Sequence, residues 1–276
     1  FLKKMKDVMH GLIIMLQMVS LTKQKRWDGL AKTLQSALPE ERAGATEYAR
    51  ERVYAPVPGQ TLVKNRDLPV EDLGMMLLYA APEATVANEA TGRVLARHLR
   101  NRAFDTLRTE EQLGYAAGGL TTTLQDHPMI GFYIQTPVKG PVAMLERFEA
   151  FAGEYALMLD ELTEEQFANL KSGVLTQLTE PPTNLSDEAG PFIGDWNRER
   201  YDFASRAEMI AAVEAVSLDA MRDYYRATVL SSEPSRILIQ MRGERWQAEP
   251  FAMIEGATVI ESVEAFHEQM PLQPLD

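Results

Sequence analysis

The residues best equipped for chemistry in this 276-residue chain lie in one run, Phe104-Asp105-Thr106-Leu107-Arg108-Thr109-Glu110-Glu111-Gln112-Leu113-Gly114-Tyr115. Arg108 stays protonated at any physiological pH and donates to carbonyl or carboxylate oxygens. The Tyr115 phenol can donate to an oxygen that is gaining negative charge. Seven residues apart in sequence, the two are separated by at most ~25 Å of extended chain and by much less if the loop folds back. Both can therefore serve one ligand. A plainer arrangement is also open, with Arg108 paired to Glu110 or Glu111 and Tyr115 packed in a sheet. On residue types alone the plainer arrangement is the stronger one.

Other chemistries are missing from the sequence. There is no cysteine, which excludes disulfides, cysteine-ligated metals and thiol nucleophiles. The histidines His10, His98, His127 and His267 never fall three or four apart, so neither His-x-x-Glu-His nor its reverse occurs. His98, beside Arg97 and Arg100, reads as a solvated or half-buried helix residue, and His127 as part of a turn. No Gly-x-Ser-x-Gly elbow is present. Gly114 and Gly118-Gly119 lack a following Gly-Lys-Ser/Thr, and they read as strand positions where another backbone approaches closely. Adjacent Glu110 and Glu111 read as solvated charge.

The elements that must position these residues follow from periodicity. Thr61–Arg66 and Leu73–Ala80 read as strands, followed by an amphipathic helix over about Glu83–Ala103 with Ala87, Val94, Leu95 and Leu99 inward. Strands Leu113–Thr123 and Met129–Thr136 flank a polar turn at Gln125-Asp126-His127-Pro128. A helix over about Val142–Asp160 would bury Leu145, Phe148, Phe151 and Tyr155. Thr163 to Gln166 and Ser205 to Glu208 both fit a capping box, and Ser217 can cap a further helix. A last strand is expected at Arg236–Met241. Beyond Gly243 an acidic stretch reads as a surface-lying or partly free tail. Hairpin-joined strands with helices gathered on one side predict an α+β fold with a mostly antiparallel sheet.

With 28 basic and 40 acidic residues the chain carries a net charge of −12, which speaks against nucleic-acid binding. Residues 1–54 hold ten basic and six acidic side chains, and residues 55–276 hold eighteen and thirty-four. The sign changes at Ala55-Pro56-Val57-Pro58-Gly59, a segment hostile to helix and sheet that reads as a linker. Lys3, Lys4 and Lys6 before Leu12-Ile13-Ile14-Met15-Leu16 imitate a signal peptide, but no small-residue cleavage site follows. A buried strand feeding a helix, with Trp27, Leu30, Ala31, Leu34 and Leu38 at helical spacing, is the expectation there. An apolar run of that length is too short for a bilayer, and Phe1 reads as a cut into a longer chain.

The run from Leu107 to Tyr115 closely resembles the C-terminal half of the insulinase/pitrilysin family of zinc metallopeptidases. Phe104, Gly131-Phe132-Tyr133-Ile134-Gln135, Phe148-Glu149-Ala150-Phe151, Thr163-Glu164-Glu165-Gln166-Phe167 and Met270-Pro271-Leu272 extend the resemblance over about residues 62–272. It implies that residues 55–276 are the fourth and last α+β sandwich domain of such an enzyme, and that residues 1–54 are the end of the third domain plus a linker. It further implies a clamshell enclosing peptides, with zinc held by the N-terminal half and none on this chain. Arg108 and Tyr115 then match residues that reach the substrate near the scissile bond, and Phe104 an aromatic lining the neighbouring pocket. The partners implied are the N-terminal zinc-binding half and peptide substrates, not nucleic acid or membrane. The acidic balance would favour basic peptides. Two alternatives are a non-catalytic family member and a plain peptide-binding or scaffold module. Bacterial members of the pitrilysin type are often periplasmic, and the sequence leaves the compartment open.

Overall fold

The computed structural model describes residues 58–269 except 125, 126 and 199, together with Ser36 and the strand pairs 52–53 and 273–274. The expected strand and helix before residue 39 lie outside the described residues, Ser36 aside. The elements are β1 (Arg52–Val53), β2 (Thr61–Asp67), β3 (Leu73–Ala80), α1 (Val86–Ala103), a π-helix (Phe104–Glu110), β4 (Ala116–Leu124) and β5 (His127–Thr136). Helices α2 (Pro141–Asp160), α3 (Glu164–Thr179), α4 (Leu185–Asn197), α5 (Ser205–Ala215) and α6 (Leu218–Val229) follow. The chain then forms β6 (Arg236–Arg242), β7 (Thr258–Val259), α7 (Val263–Gln269) and β8 (Gln273–Pro274).

Six strands form one sheet in the order β4-β5-β3-β6-β2-β7, and β1 pairs separately with β8. Pairing is antiparallel except where β2 lies parallel to β6 and β7. The fold is therefore α+β with a mostly antiparallel sheet. One expectation needs correcting. β2 and β3 are consecutive in sequence but do not form a hairpin, because β6 is inserted between them and pairs with both.

Alternation along β3 sends Leu73, Met75, Leu77 and Tyr79 to one face, where all are buried in the main core with residues of α1, α2 and α6. Met76, Leu78 and Ala80 join Leu120, Met129 and Ile237 in a small cluster on the other. Aromatic rings tie α2 to the sheet: Phe132 packs 5.7 Å from Phe148 and 5.4 Å from Phe151, and Tyr155 packs 5.0 Å from Tyr225 of α6. The Tyr225 hydroxyl donates to the Ala152 carbonyl at 2.8 Å. Such pairs prefer tilted or edge-on rings, which fixes the helix orientation as well as burying area.

Several local expectations change. Ala87 is exposed, and Ala90, Val94, Leu95 and Leu99 carry the inward face of α1. The Thr163–Gln166 capping box forms in full, and Ser217 accepts from the Ala220 amide. Ser205 is no cap: it is already helical, Ala204 precedes it without a side-chain cap, and the Ser205 amide turns toward Asp195. His127 and Pro128 belong to β5, not to a turn. The chain beyond Gly243 is held to the body: Gln240 bonds to both the amide and the carbonyl of buried Ala252, and β7 extends the sheet edge.

Candidate functional site

Helix α1 does not stop at Ala103. It widens into the π-helix Phe104–Glu110, which closes with the Glu111 amide bonding to the Thr106 carbonyl at 3.0 Å. A π-turn loosens the i→i+4 ladder and is found disproportionately at functional sites. Leu107 and Leu113 are buried on its inner side. The chain then reverses through Gln112, whose φ of 52° lies in the left-handed region, while the Leu113 amide caps the Leu107 carbonyl at 3.0 Å.

Strand β5 locks the exit of this turn. The Thr136 hydroxyl donates to the Leu113 carbonyl, and Gly114 lies so close to β5 that a Cβ there would fall 2.0 Å from the Gln135 carbonyl oxygen. Gly119 is also constrained, since its Cβ would fall 2.5 Å from Cγ of Leu99. Close backbone approach thus holds at Gly114, which precedes β4, whereas Gly119 within β4 makes room for a side chain of α1. A second anchor, not foreseen from sequence, comes from α2. Arg147 grips Glu111 with Nε at 2.8 and 3.0 Å and also holds Glu154 at 2.8 Å. Nothing in the Glu110-Glu111 pair announces this contact, because its partner lies 36 residues away.

The rigid turn displays three side chains outward. Phe104 is 40% exposed and Tyr115 86% exposed. The Arg108 guanidinium lies 4.8 Å from the Phe104 ring centre and 5.6 Å from that of Tyr115. Arg108 therefore does not take the plain arrangement with Glu110 or Glu111, and Tyr115 does not pack inside the sheet. Stacking occupies the flat face of the guanidinium and leaves its N–H edge free to donate. At an exposed site it contributes about 0.5–1 kcal/mol, little enough for a ligand to compete.

Phe104, Arg108 and Tyr115 together can present a planar donor fork, a phenol hydroxyl and an aromatic wall to one extended ligand. Among the described residues no group of three histidine, aspartate or glutamate side chains is arranged to hold a metal. His98 is buried, not solvated: its Nδ1 lies 2.9 Å from the Tyr155 hydroxyl, and burial pushes its pKa down to about 4. A cavity of about 640 Å³ opens at the other end of α1, lined by Glu89, Arg93, Asp187, Asp195 and Arg206 among others, and none of the three displayed side chains reaches it.

The fold defined by this sheet and its helices is that of pitrilysin-type peptidase domains. The crystal structure of pitrilysin superposes with a TM-score of 0.77 at 24% identity, covering 85% of this chain and 25% of that one. The inactive domain of a peptidase from Pseudomonas fluorescens superposes at 0.55 with 14% identity, covering 80% and 51%. In sequence, Protease 3 of Escherichia coli K12 is 30% identical over 169 residues, which is 61% of this chain and 18% of that protein. A family model described as "PQQ synthase PqqF-like, C-terminal lobe domain 4" matches residues 94–193. The chain is homologous to the C-terminal region of the insulinase/pitrilysin peptidases and spans about a fifth to a quarter of these longer relatives.

Proposed function

We propose that this chain is the non-zinc-binding C-terminal part of a zinc metalloendopeptidase, and that it binds peptide substrates through Phe104, Arg108 and Tyr115. The observation that carries this reading is the contrast between the anchored turn and its outward display. Leu107, Leu113, Thr136, Gly114 and Arg147 immobilise the backbone, while Tyr115 faces solvent with Arg108 half-buried beside it. Preorganised donors stabilise charge without reorganising during the reaction.

The described residues offer no donor set for zinc, so in this reading the metal and the water it activates belong to the N-terminal half of the same polypeptide. On this chain, the Tyr115 hydroxyl donates to the scissile carbonyl oxygen as negative charge grows there. Arg108 donates to a flanking backbone carbonyl and fixes the peptide's register. Phe104 forms the apolar wall beside that carbonyl. The isolated chain is then inactive, and the enclosing chamber of the whole enzyme excludes water when the halves meet.

The test is Tyr115→Phe in the full-length enzyme. Removal of one oxyanion donor should lower turnover about a hundredfold, with the melting temperature unchanged because the ring is exposed. Arg108→Ala should weaken both binding and turnover. Near-normal turnover in Tyr115→Phe would defeat this reading and favour a non-catalytic peptide-binding or scaffold role for the same surface.

A further inference from the structure

We propose that the exposed arginines of α1 form a carboxylate-reading stripe that seats the acidic residues of an extended peptide on its way to Arg108 and Tyr115. The proposal rests on the peptide-binding reading above and adds to it the substrate's charge. Arg93, Arg97 and Arg100 are exposed and follow 4- and 3-residue spacing along α1, so they share one face of the helix. Phe104 continues that face, and Arg108 follows on the π-turn.

Most of the other arginines are paired. Arg147, Arg222, Arg226, Arg236 and Arg242 each sit against a carboxylate, as a chain with twelve surplus acidic charges allows. Arg93 pairs with Glu89 at 2.7 Å. Arg97, Arg100 and Arg108 have no ion pair or hydrogen bond among the described residues. The Arg97 guanidinium lies along α3, where a Cβ on Gly173 would come within 2.8 Å of its Cζ. Like charges three or four residues apart cost a helix about 0.2–0.5 kcal/mol per pair. Arg97 and Arg100, three residues apart and both unpaired, carry that cost on an acidic protein, and an external anion relieves it.

Arginine forks suit carboxylates, with two parallel N–H···O bonds for each. From Arg97 to Arg108 the stripe runs roughly 15 Å, about the span of five extended residues. A peptide carrying alternating acidic residues can therefore meet Arg97 and Arg100 while a downstream carbonyl reaches Arg108. The overall charge of −12 argues for basic peptides, but the local sign beside the site is opposite, and local charge governs contact at a screening length of about 8 Å.

The test measures binding, not hydrolysis. A labelled heptapeptide with alternating glutamates and its glutamine counterpart are titrated by fluorescence anisotropy into the full chain. The glutamate peptide should bind roughly tenfold more tightly at low salt, and the difference should shrink as salt rises. Arg97→Gln combined with Arg100→Gln should abolish the difference. Arg100→Gln alone, which leaves the Arg97–Gly173 packing intact, should reduce it. Equal binding of the two peptides, or a difference that survives in both variants, overturns the stripe. So does a single-stranded oligonucleotide that displaces the glutamate peptide better than the unlabelled peptide does, since the stripe would then read phosphates. Because no turnover is measured, normal activity of Tyr115→Phe would sink the catalytic reading without moving the glutamate-to-glutamine ratio.

Discussion

Arg147 on α2 holds Glu111 at the end of the π-turn through bonds of 2.5 to 3.0 Å, four residues before the exposed Tyr115. The Arg147 side chain is 14% exposed and serves Glu154 as well, so one guanidinium couples the turn to a helix that lies in the core. Replacing it with Gln removes charge-assisted bonds, each worth about 1.5–3 kcal/mol, and frees the turn. In the full-length enzyme Arg147→Gln should raise KM and lower turnover together. Arg147→Lys should rescue little, because a point charge cannot reproduce the fork. Recovery of full activity by the lysine variant would show that only charge matters there.

Stability and activity should separate at the site. Tyr115→Phe alters an exposed group and Arg108→Ala a half-buried one without an ion pair, and thermal unfolding of either variant should lie within about 0.5 kcal/mol of the parent. A large fall in melting temperature would mean that the Arg108–Tyr115 stack supports the fold instead of facing a ligand.

Gly114→Ala should behave in the opposite way. Its new methyl would meet the Gln135 carbonyl oxygen, a backbone atom that cannot move without disturbing β5. Overpacking of this kind costs about 1–3 kcal/mol or more, measurable as a lower urea midpoint with an unchanged slope.

His98 predicts a pH dependence. Burial first and the nearby Arg102 second depress its folded-state pKa to about 4, against about 6.5 in the unfolded chain. Between those values the unfolded state binds more protons. The stabilisation is therefore complete above pH 6.5, falls as pH drops toward 4, and levels off below. Urea unfolding across this range should show a slope for the parent that is steeper than that of His98→Gln by up to about one proton. Equal slopes would place the His98 titration elsewhere.

The unit from residue 55 onward should unfold as one cooperative transition. Circular dichroism of a 55–276 polypeptide checks this. A disordered spectrum would move the boundary toward residue 52, where β1 meets β8.

Much of this architecture is legible in the residues because it is local. Leu73–Ala80 is a short, almost wholly apolar run, Phe148, Phe151 and Tyr155 follow helical spacing, and Thr163 with Gln166 writes a cap over four residues. What escapes a sequence reading is non-local or a matter of small hydrogen-bond choices. A helix that widens from i→i+4 to i→i+5 bonding at Phe104 has no compositional mark. Ser205 carries the right spacing for a cap but is drawn toward Asp195 instead. Arg147 and Glu111 meet only because α2 crosses the end of the turn. The arrangement of Phe104, Arg108 and Tyr115 needed both the π-turn and the reversal at Gln112, and neither follows from their spacing.

The position of β6 between β2 and β3 also sets a timetable for synthesis. Strand β2 leaves the ribosome well before β6, since Thr61 pairs with Arg236, 175 residues later. At about 5–20 residues per second this is a wait of roughly ten to thirty-five seconds. Meanwhile β3, α1, β4 and β5 can assemble among themselves, with Leu73 to Ala80 already paired to β5. The inner edge of β3 stays open throughout that interval, an unsatisfied row of backbone groups that invites pairing with the wrong strand. A nascent chain halted before Arg236 should thus be the form that aggregates or recruits chaperones, and release of seven further residues closes that edge.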